Sequence, residues 1–104
     1  MPKAILLVET NPATPEADQE YNTWYDQVHL GEVTALKGFT GARRYRRLTE
    51  GGTHRYLAIY EIDAPDPEAV INDMMAGAGE FNMSPALQMS PAPGLGLYEE
   101  IGPG

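Results

Sequence analysis

The chain has 104 residues, 42% hydrophobic and 21% charged, and its 15 acidic against 7 basic side chains give a formal net charge of −8. That length and balance fit one domain over residues 1–104 with a single core, and they exclude wholesale disorder. The acidic surplus repels phosphate backbones and anionic lipid, so neither nucleic acid nor a membrane is an expected partner.

Lys3 to Thr10 reads as a strand closed by the Asn11-Pro12 turn signal. Both of its faces, Ile5/Leu7/Glu9 and Ala4/Leu6/Val8, are largely apolar, as in a central strand. The apolar run Ala4 to Val8 is too short for a secretory segment, and nothing approaches a membrane span. With no cysteine, disulfides, thiolate metal sites and a cysteine nucleophile are excluded, and a cytoplasmic location is expected.

Thr14-Pro15-Glu16-Ala17 is a helix start, with a capping hydroxyl, proline at the first position and early acidic residues. Ala17, Tyr21, Trp24, Tyr25 and Val28 then mark one helical face. Beyond Val28 a straight continuation places Glu32 near the centre of the apolar stripe. The spacing therefore predicts a kink or new turn at Gly31, a short continuation through Val33 and Leu36, and a stop at Gly38.

Phe39 to Leu48 is the second strand, with Phe39, Gly41, Arg43, Tyr45 and Arg47 on one face and Thr40, Ala42, Arg44, Arg46 and Leu48 on the other. A turn at Glu50-Gly51-Gly52-Thr53 leads to the third strand, His54 to Ile62. Asp66-Pro67-Glu68-Ala69 starts a second helix with a buried stripe of Val70, Ile71, Met74 and Met75, ended by Gly77 and Gly79. Phe81 to Pro93 is loop-rich and apolar enough for a lid or pocket rim. Gly94 to Ile101 makes the last strand, and Gly102 to Gly104 a frayed tail.

The two helix starts echo each other at half the chain's length, which gives the order β-α-β-β-α-β of the ferredoxin-like fold, with strands one and three central. Helices cover one face of such a sheet. The other face calls for a partner, and a second copy of the chain, forming a homodimer, is the economical one.

Groups that move protons, bind anions and line apolar cavities stand together in the stretch Tyr21 to Arg47. His29 lies on a shoulder of the aromatic helix face, where a neutral imidazole could exchange a proton near neutral pH, or else simply bond a backbone carbonyl. Arg43 or Arg44 could bind a carboxylate or enolate, and strand alternation lets one of the two face the helices. Tyr45, Tyr56 and Tyr60 offer strand hydroxyls to a carbonyl or phenol. Two histidines and no cysteine argue against a metal. Neither a P-loop nor a dinucleotide glycine fingerprint is present, so no cofactor is expected.

The aromatics around Trp24-Tyr25, His29 four residues on, the Gly38-Phe39 turn and Arg43-Arg44-Tyr45 together resemble the EthD-like branch of the dimeric α+β barrel superfamily. Relatives often carry proline where this chain has Gly31. The resemblance implies a homodimer with a pocket between sheet and helices in each subunit. That superfamily includes cofactor-independent oxygenases, polyketide cyclases, muconolactone-type isomerases and many uncharacterised members, and in some of them a histidine in or near the pocket acts on the substrate.

The expectation is therefore a cofactor-free enzyme on an apolar, aromatic or lactone-type small molecule. His29, Arg43 and Tyr60 are the catalytic candidates. Tyr21, Trp24, Tyr25, Arg44, Tyr45, Tyr56 and Met83 are the substrate-binding ones. The competing readings are a non-catalytic ligand-binding or accessory dimeric module, and a dimeric protein without a pocket.

Overall fold

Residues 3–102 are described by a computed structural model whose frame is a four-stranded antiparallel sheet. The strands are β1 (Lys3–Thr10), β2 (Phe39–Arg46), β3 (Tyr56–Asp63) and β4 (Gly94–Glu99), in the order β2-β3-β1-β4. β1 and β3 are the central pair, in register from Lys3 opposite Asp63 to Thr10 opposite Tyr56. With helical segments α1 (Asp18–Trp24), α2 (Leu30–Thr34) and α3 (Pro67–Ala76) between the strands, the element order and strand order are those of the ferredoxin-like α+β fold. β2 ends at Arg46, β3 begins at Tyr56 and β4 ends at Glu99, each short of its expected limit. Of the C-terminal tail, Pro103 and Gly104 lie outside the described residues.

Both helix starts form as the sequence dictates. The Thr14 hydroxyl accepts from the Ala17 N–H at 3.2 Å, and the Asp66 carboxylate accepts from the Ala69 N–H at 3.2 Å. Gly38 ends the first helical run at φ +98°, where a Cβ would stand 2.6 Å from Val70, so only glycine fits.

The expected break at Gly31 does not occur, because α2 runs through it. The irregularity lies one turn earlier. Tyr25–His29 form a π turn, in which the Leu30 N–H reaches back five residues to the Tyr25 carbonyl. The extra residue brings Val33, 2% exposed, onto the buried face and moves Glu32 to its edge.

Strand alternation carries one face of the sheet under the helices. Ala4, Leu6, Tyr56, Ala58, Tyr60 and Ile62 are buried there with Tyr21, Tyr25 and Val33 above them. A bulge between Phe39 and Gly41 breaks the alternation expected for β2. Phe39 lies under the helices, but Gly41, Arg43 and Tyr45 turn to the opposite face, while Ala42 and Arg44 take the helix side. On α3, Met74 is buried but Met75 is 53% exposed, so the expected stripe is narrower by one residue.

Ile62 is 1% exposed and stands opposite both Phe39 and Ala4. Truncating it leaves a hole in the middle of this layer. Ile62→Ala should lower stability by about 2–5 kcal/mol in urea denaturation. A loss under about 1 kcal/mol would mean that the helices do not close over this side chain.

Candidate functional site

The helices do not seal the sheet completely. A cavity of about 260 Å³ remains between them. Its floor is Leu6, Val8 and Thr10 of β1 with Tyr60 of β3, and β4 contributes Leu95 at one margin. Trp24, Tyr25, His29 and Val33 form the wall from the first helical run, and Met74 and Met75 the wall from α3. The segment 81–93 roofs it with Phe81, Met83, Leu87, Met89 and Pro93. The volume sits just under the range of about 300–1,000 Å³ usual for small-molecule sites, and its lining is almost wholly apolar. It suits a small, largely hydrophobic ligand.

The roof is pinned, not loose. The Leu87 backbone bridges to Pro12, the Gln88 N–H donates to the Asn11 carbonyl at 2.9 Å, and Ala86 and Leu87 are buried. At its other end the Asn82 carbonyl accepts the Trp24 indole N–H at 2.7 Å. Met83 and Met89, 51% and 63% exposed, are left at the rim, where flexible thioethers adapt to an irregular guest.

The polar groups of the cavity are few, and most are already engaged. The Thr10 hydroxyl is bonded to Tyr21. The Tyr60 hydroxyl donates to Tyr25 at 3.1 Å, which leaves the Tyr25 O–H free to donate onward. Burial pushes the Tyr25 phenol up to about 12, and burial raises Tyr60 too, with the neighbouring Tyr25 adding to it. Both hydroxyls are therefore neutral donors at any physiological pH.

His29 completes the wall. Its ring stacks on Trp24 at 4.8 Å and 20°, and meets Tyr25 and Phe81 edge-on at 5.0 and 5.5 Å. Three aromatic contacts fix the imidazole plane. Burial lowers its pKa, and the Glu32 carboxylate, with its nearest oxygen 3.8 Å from Nδ1, opposes the shift without cancelling it. The ring is thus neutral at pH 7 and able to accept a proton.

Of the residues singled out from sequence, His29, Tyr60, Trp24, Tyr25 and Met83 meet at this cavity. Arg43 does not. The β2 bulge sends it to the helix-free face, where its side chain is 71% exposed beside Glu61. Tyr45 lies on that same face.

Arg44 faces the helices but bonds Asp26 at 2.7 Å and Asn22 at 2.8 Å, and lies 4.4 Å over the Tyr25 ring. Burial disfavours its charge, yet Asp26 and the Tyr21 hydroxyl more than offset this and raise its pKa. Tyr21 is fully buried, and Tyr56 is bonded to Asp18 and Asn22. These three residues form a closed layer beside the cavity, not part of its lining.

Sequence reasoning missed Glu32 and Asn82 as partners of the site. The Glu32 spacing from His29 was visible, but nothing in the sequence pointed to Asn82, 50 residues further on. Among the described residues there is no cluster of His and acidic residues that could hold a metal ion, and no helix is long and apolar enough to cross a membrane.

The chain is thus a ferredoxin-like sheet with an apolar cavity under its helices, fronted by one imidazole. The fold alone is shared with a protein of Shewanella loihica PV-4 provisionally described as a monooxygenase, at 17% identity over 99% of both chains with a TM-score of 0.61. An ethyl tert-butyl ether d (EthD) family protein from Bacillus halodurans C-125 superposes over 97% of this chain and 100% of its own, at 15% identity and a TM-score of 0.50. At these identities the likeness is one of fold. No protein-family model and no curated protein matches the sequence.

The buried imidazole has a consequence for stability. The unfolded chain binds the His29 proton near pH 6.5, whereas the folded chain binds it only at lower pH. Its contribution is therefore fully present above about pH 6.5 and lost as pH falls from there through the folded pKa. His29→Gln should flatten that part of the stability–pH curve in urea melts between about pH 5.5 and 7.5. An unchanged slope would place the imidazole in water.

Proposed function

We propose that this chain is an EthD-like member of the dimeric α+β barrel superfamily and a cofactor-independent enzyme on a small apolar substrate with one enolisable or phenolic oxygen. The observation that carries this reading is His29, a neutral imidazole held edge and face by aromatic rings on the wall of an otherwise apolar cavity. Two solved structures of the same fold, one an EthD family protein and one provisionally described as a monooxygenase, support it.

In this reading His29 takes a proton from an acidic C–H or O–H of the substrate. Charge develops on the adjacent oxygen, and the Tyr25 O–H, backed by Tyr60, donates to it. Low-dielectric surroundings strengthen that hydrogen bond as the charge grows. Returning the proton to another carbon completes an isomerisation. In a cyclisation the enolate carbon bonds to a carbonyl carbon of the same molecule, and the proton goes to the alkoxide so formed. In a cofactor-free oxygenase the substrate anion would instead be oxidised by dioxygen as co-substrate, forming a C–O bond to a peroxide that takes up the proton. Trp24 and Met83 contact the apolar body of the substrate. Arg43 and Arg44 have no part, since one faces away and the other is already paired.

The test is a turnover screen of small phenols, enolisable ketones and unsaturated lactones with wild type and His29→Ala. A positioned acid–base residue contributes about 10²–10⁴-fold, so the variant should lose at least about tenfold in rate while keeping its thermal melt. The acid limb of the wild-type pH profile should lie below pH 6.5, where the lowered pKa puts it. A variant as fast as wild type would remove the proposed base and leave a non-catalytic binding module.

The protein acts as a homodimer in the same reading. Ile5, Leu7, Leu57 and Ile59 form the centre of the helix-free face, flanked by Tyr45 and Tyr98, 47% and 55% exposed. An apolar sheet face without a covering layer is the surface that an isologous dimer buries. Light scattering should give twice the chain mass at micromolar concentration, and Ile59→Lys should halve it. Wild type running as monomer would end the dimer proposal.

A further inference from the structure

Among the described residues, the buried side-chain nitrogens and oxygens that lack a hydrogen bond are His29 Nδ1 and Glu32 Oε1. They face each other at 3.8 Å. Leaving two polar atoms sealed and unpaired costs about 1–3 kcal/mol for each, and with a proton on Nδ1 a small rotation of either side chain would join them. Hydrogen bonds of a working site are often this long until a ligand is in place.

The other oxygen of Glu32 is firmly held. Oε2 accepts from the Asn82 backbone N–H at 2.8 Å and from the Asn82 side-chain amide at 2.9 Å. The same residue's carbonyl takes the indole N–H of Trp24, the ring on which His29 stacks. One residue at the root of the roof segment therefore fixes both the carboxylate beside the imidazole and the platform beneath it.

We infer that Glu32 is the positioning residue of His29. It accepts the Nδ1 proton, so that the lone pair on Nε2 is the one left for a ligand, and Asn82 keeps it in that orientation. This is the role of the third group behind any acid–base imidazole, selecting its tautomer and stabilising the imidazolium that forms. The inference rests on the reading of His29 as the proton-transfer group. The ionisable groups about this imidazole are Glu32, 3.8 Å from it but outside the cavity lining, Tyr25 from the same helical run and Tyr60 from β3. The roof presents Phe81 and Met83 there and α3 presents Met74 and Met75, all uncharged.

The deciding measurement is a long-range ¹H–¹⁵N spectrum of His29, recorded against pH in wild type, Glu32→Gln and Asn82→Ala. Wild type should hold its neutral ring as the Nδ1–H tautomer. Glu32→Gln should lose that preference and titrate at still lower pH, since the carboxylate is what opposes the effect of burial. Asn82→Ala should fall between the two.

On a turned-over substrate, Glu32→Gln should lower kcat more than it changes KM, by part of the about 10²–10⁴-fold due to the acid–base residue, and move the acid limb down in pH. A wild-type Nε2–H tautomer would overturn the inference even if no variant folded, and so would a Glu32→Gln titration that matches wild type. If the tautomer and its loss are seen but His29→Ala turns over substrate normally, the pairing stands and the enzyme reading falls. If His29→Ala is inactive and Glu32→Gln keeps the wild-type pH profile, the reverse holds.

Discussion

The π turn at Tyr25–His29 is the constraint on which the rest of the site depends. Tyr21, Tyr25, His29 and Val33 are spaced by four residues. At 3.6 residues per turn, three such steps carry a regular helix about 120° off its starting face. One residue taken up in a wider turn cancels about 100° of that, leaving about 20°. Tyr21, Tyr25 and Val33 are accordingly all 2% exposed or less, and His29 stands on the cavity wall between the last two. Without the extra residue, either Val33 or the aromatic pair would leave the sheet, and Glu32 would lie under the helix instead of at its edge.

That single face divides into two compartments with opposite chemistry. On the β2 side, Arg44 lies within 5.6 Å of the ring centres of Tyr21, Tyr25 and Tyr56, and its charge is spent on Asp26 and Asn22. Tyr21, Tyr56 and the Arg44 guanidinium there are all engaged, so the compartment fixes geometry. On the β4 side the lining is methionine, leucine and aromatic carbon, and the engaged hydroxyls stand at its edge. Tyr25 belongs to both. Its ring face carries the cation, whose field draws the phenol toward ionisation, yet burial dominates and holds it near 12. A neutral phenol with a free proton can donate to a developing charge without itself adding one.

Local rules carried the sequence reading a long way. Caps at Thr14 and Asp66, the φ-positive glycine at 38 and doubly apolar β1 all rest on contacts within a few residues, and these elements stand where the pattern put them. The features that escaped are set by tertiary packing. A π turn has no residue signature, since Tyr-Asp-Gln-Val-His suits an ordinary helix equally well. The sequence pattern puts the break at Gly31 because glycine is the residue that usually permits one. The bulge after Phe39 is equally silent, and it decided which of the two neighbouring arginines faces the helices. His29, Trp24, Tyr25 and Tyr60 could be grouped from spacing and strand parity and Met83 from its apolar loop, whereas Asn82 meets Glu32 only because the roof segment crosses over the first helical run.

The roof shows why such a cavity persists in so small a chain. Collapse would recover apolar contact, because empty volume costs roughly 24 cal/mol per Å³ in cores that cannot relax. Here the surrounding parts are fixed by polar bonds that collapse would break. Asn82 is tied to Trp24 and Glu32 at one end of the roof, and Ala86 and Gln88 to the backbone of Ala13 and Asn11 at the other. β1, bonded on both edges, cannot rise to meet them. The side chains free to move inward are the methionines at the rim, and they are the ones that could follow a guest in and out.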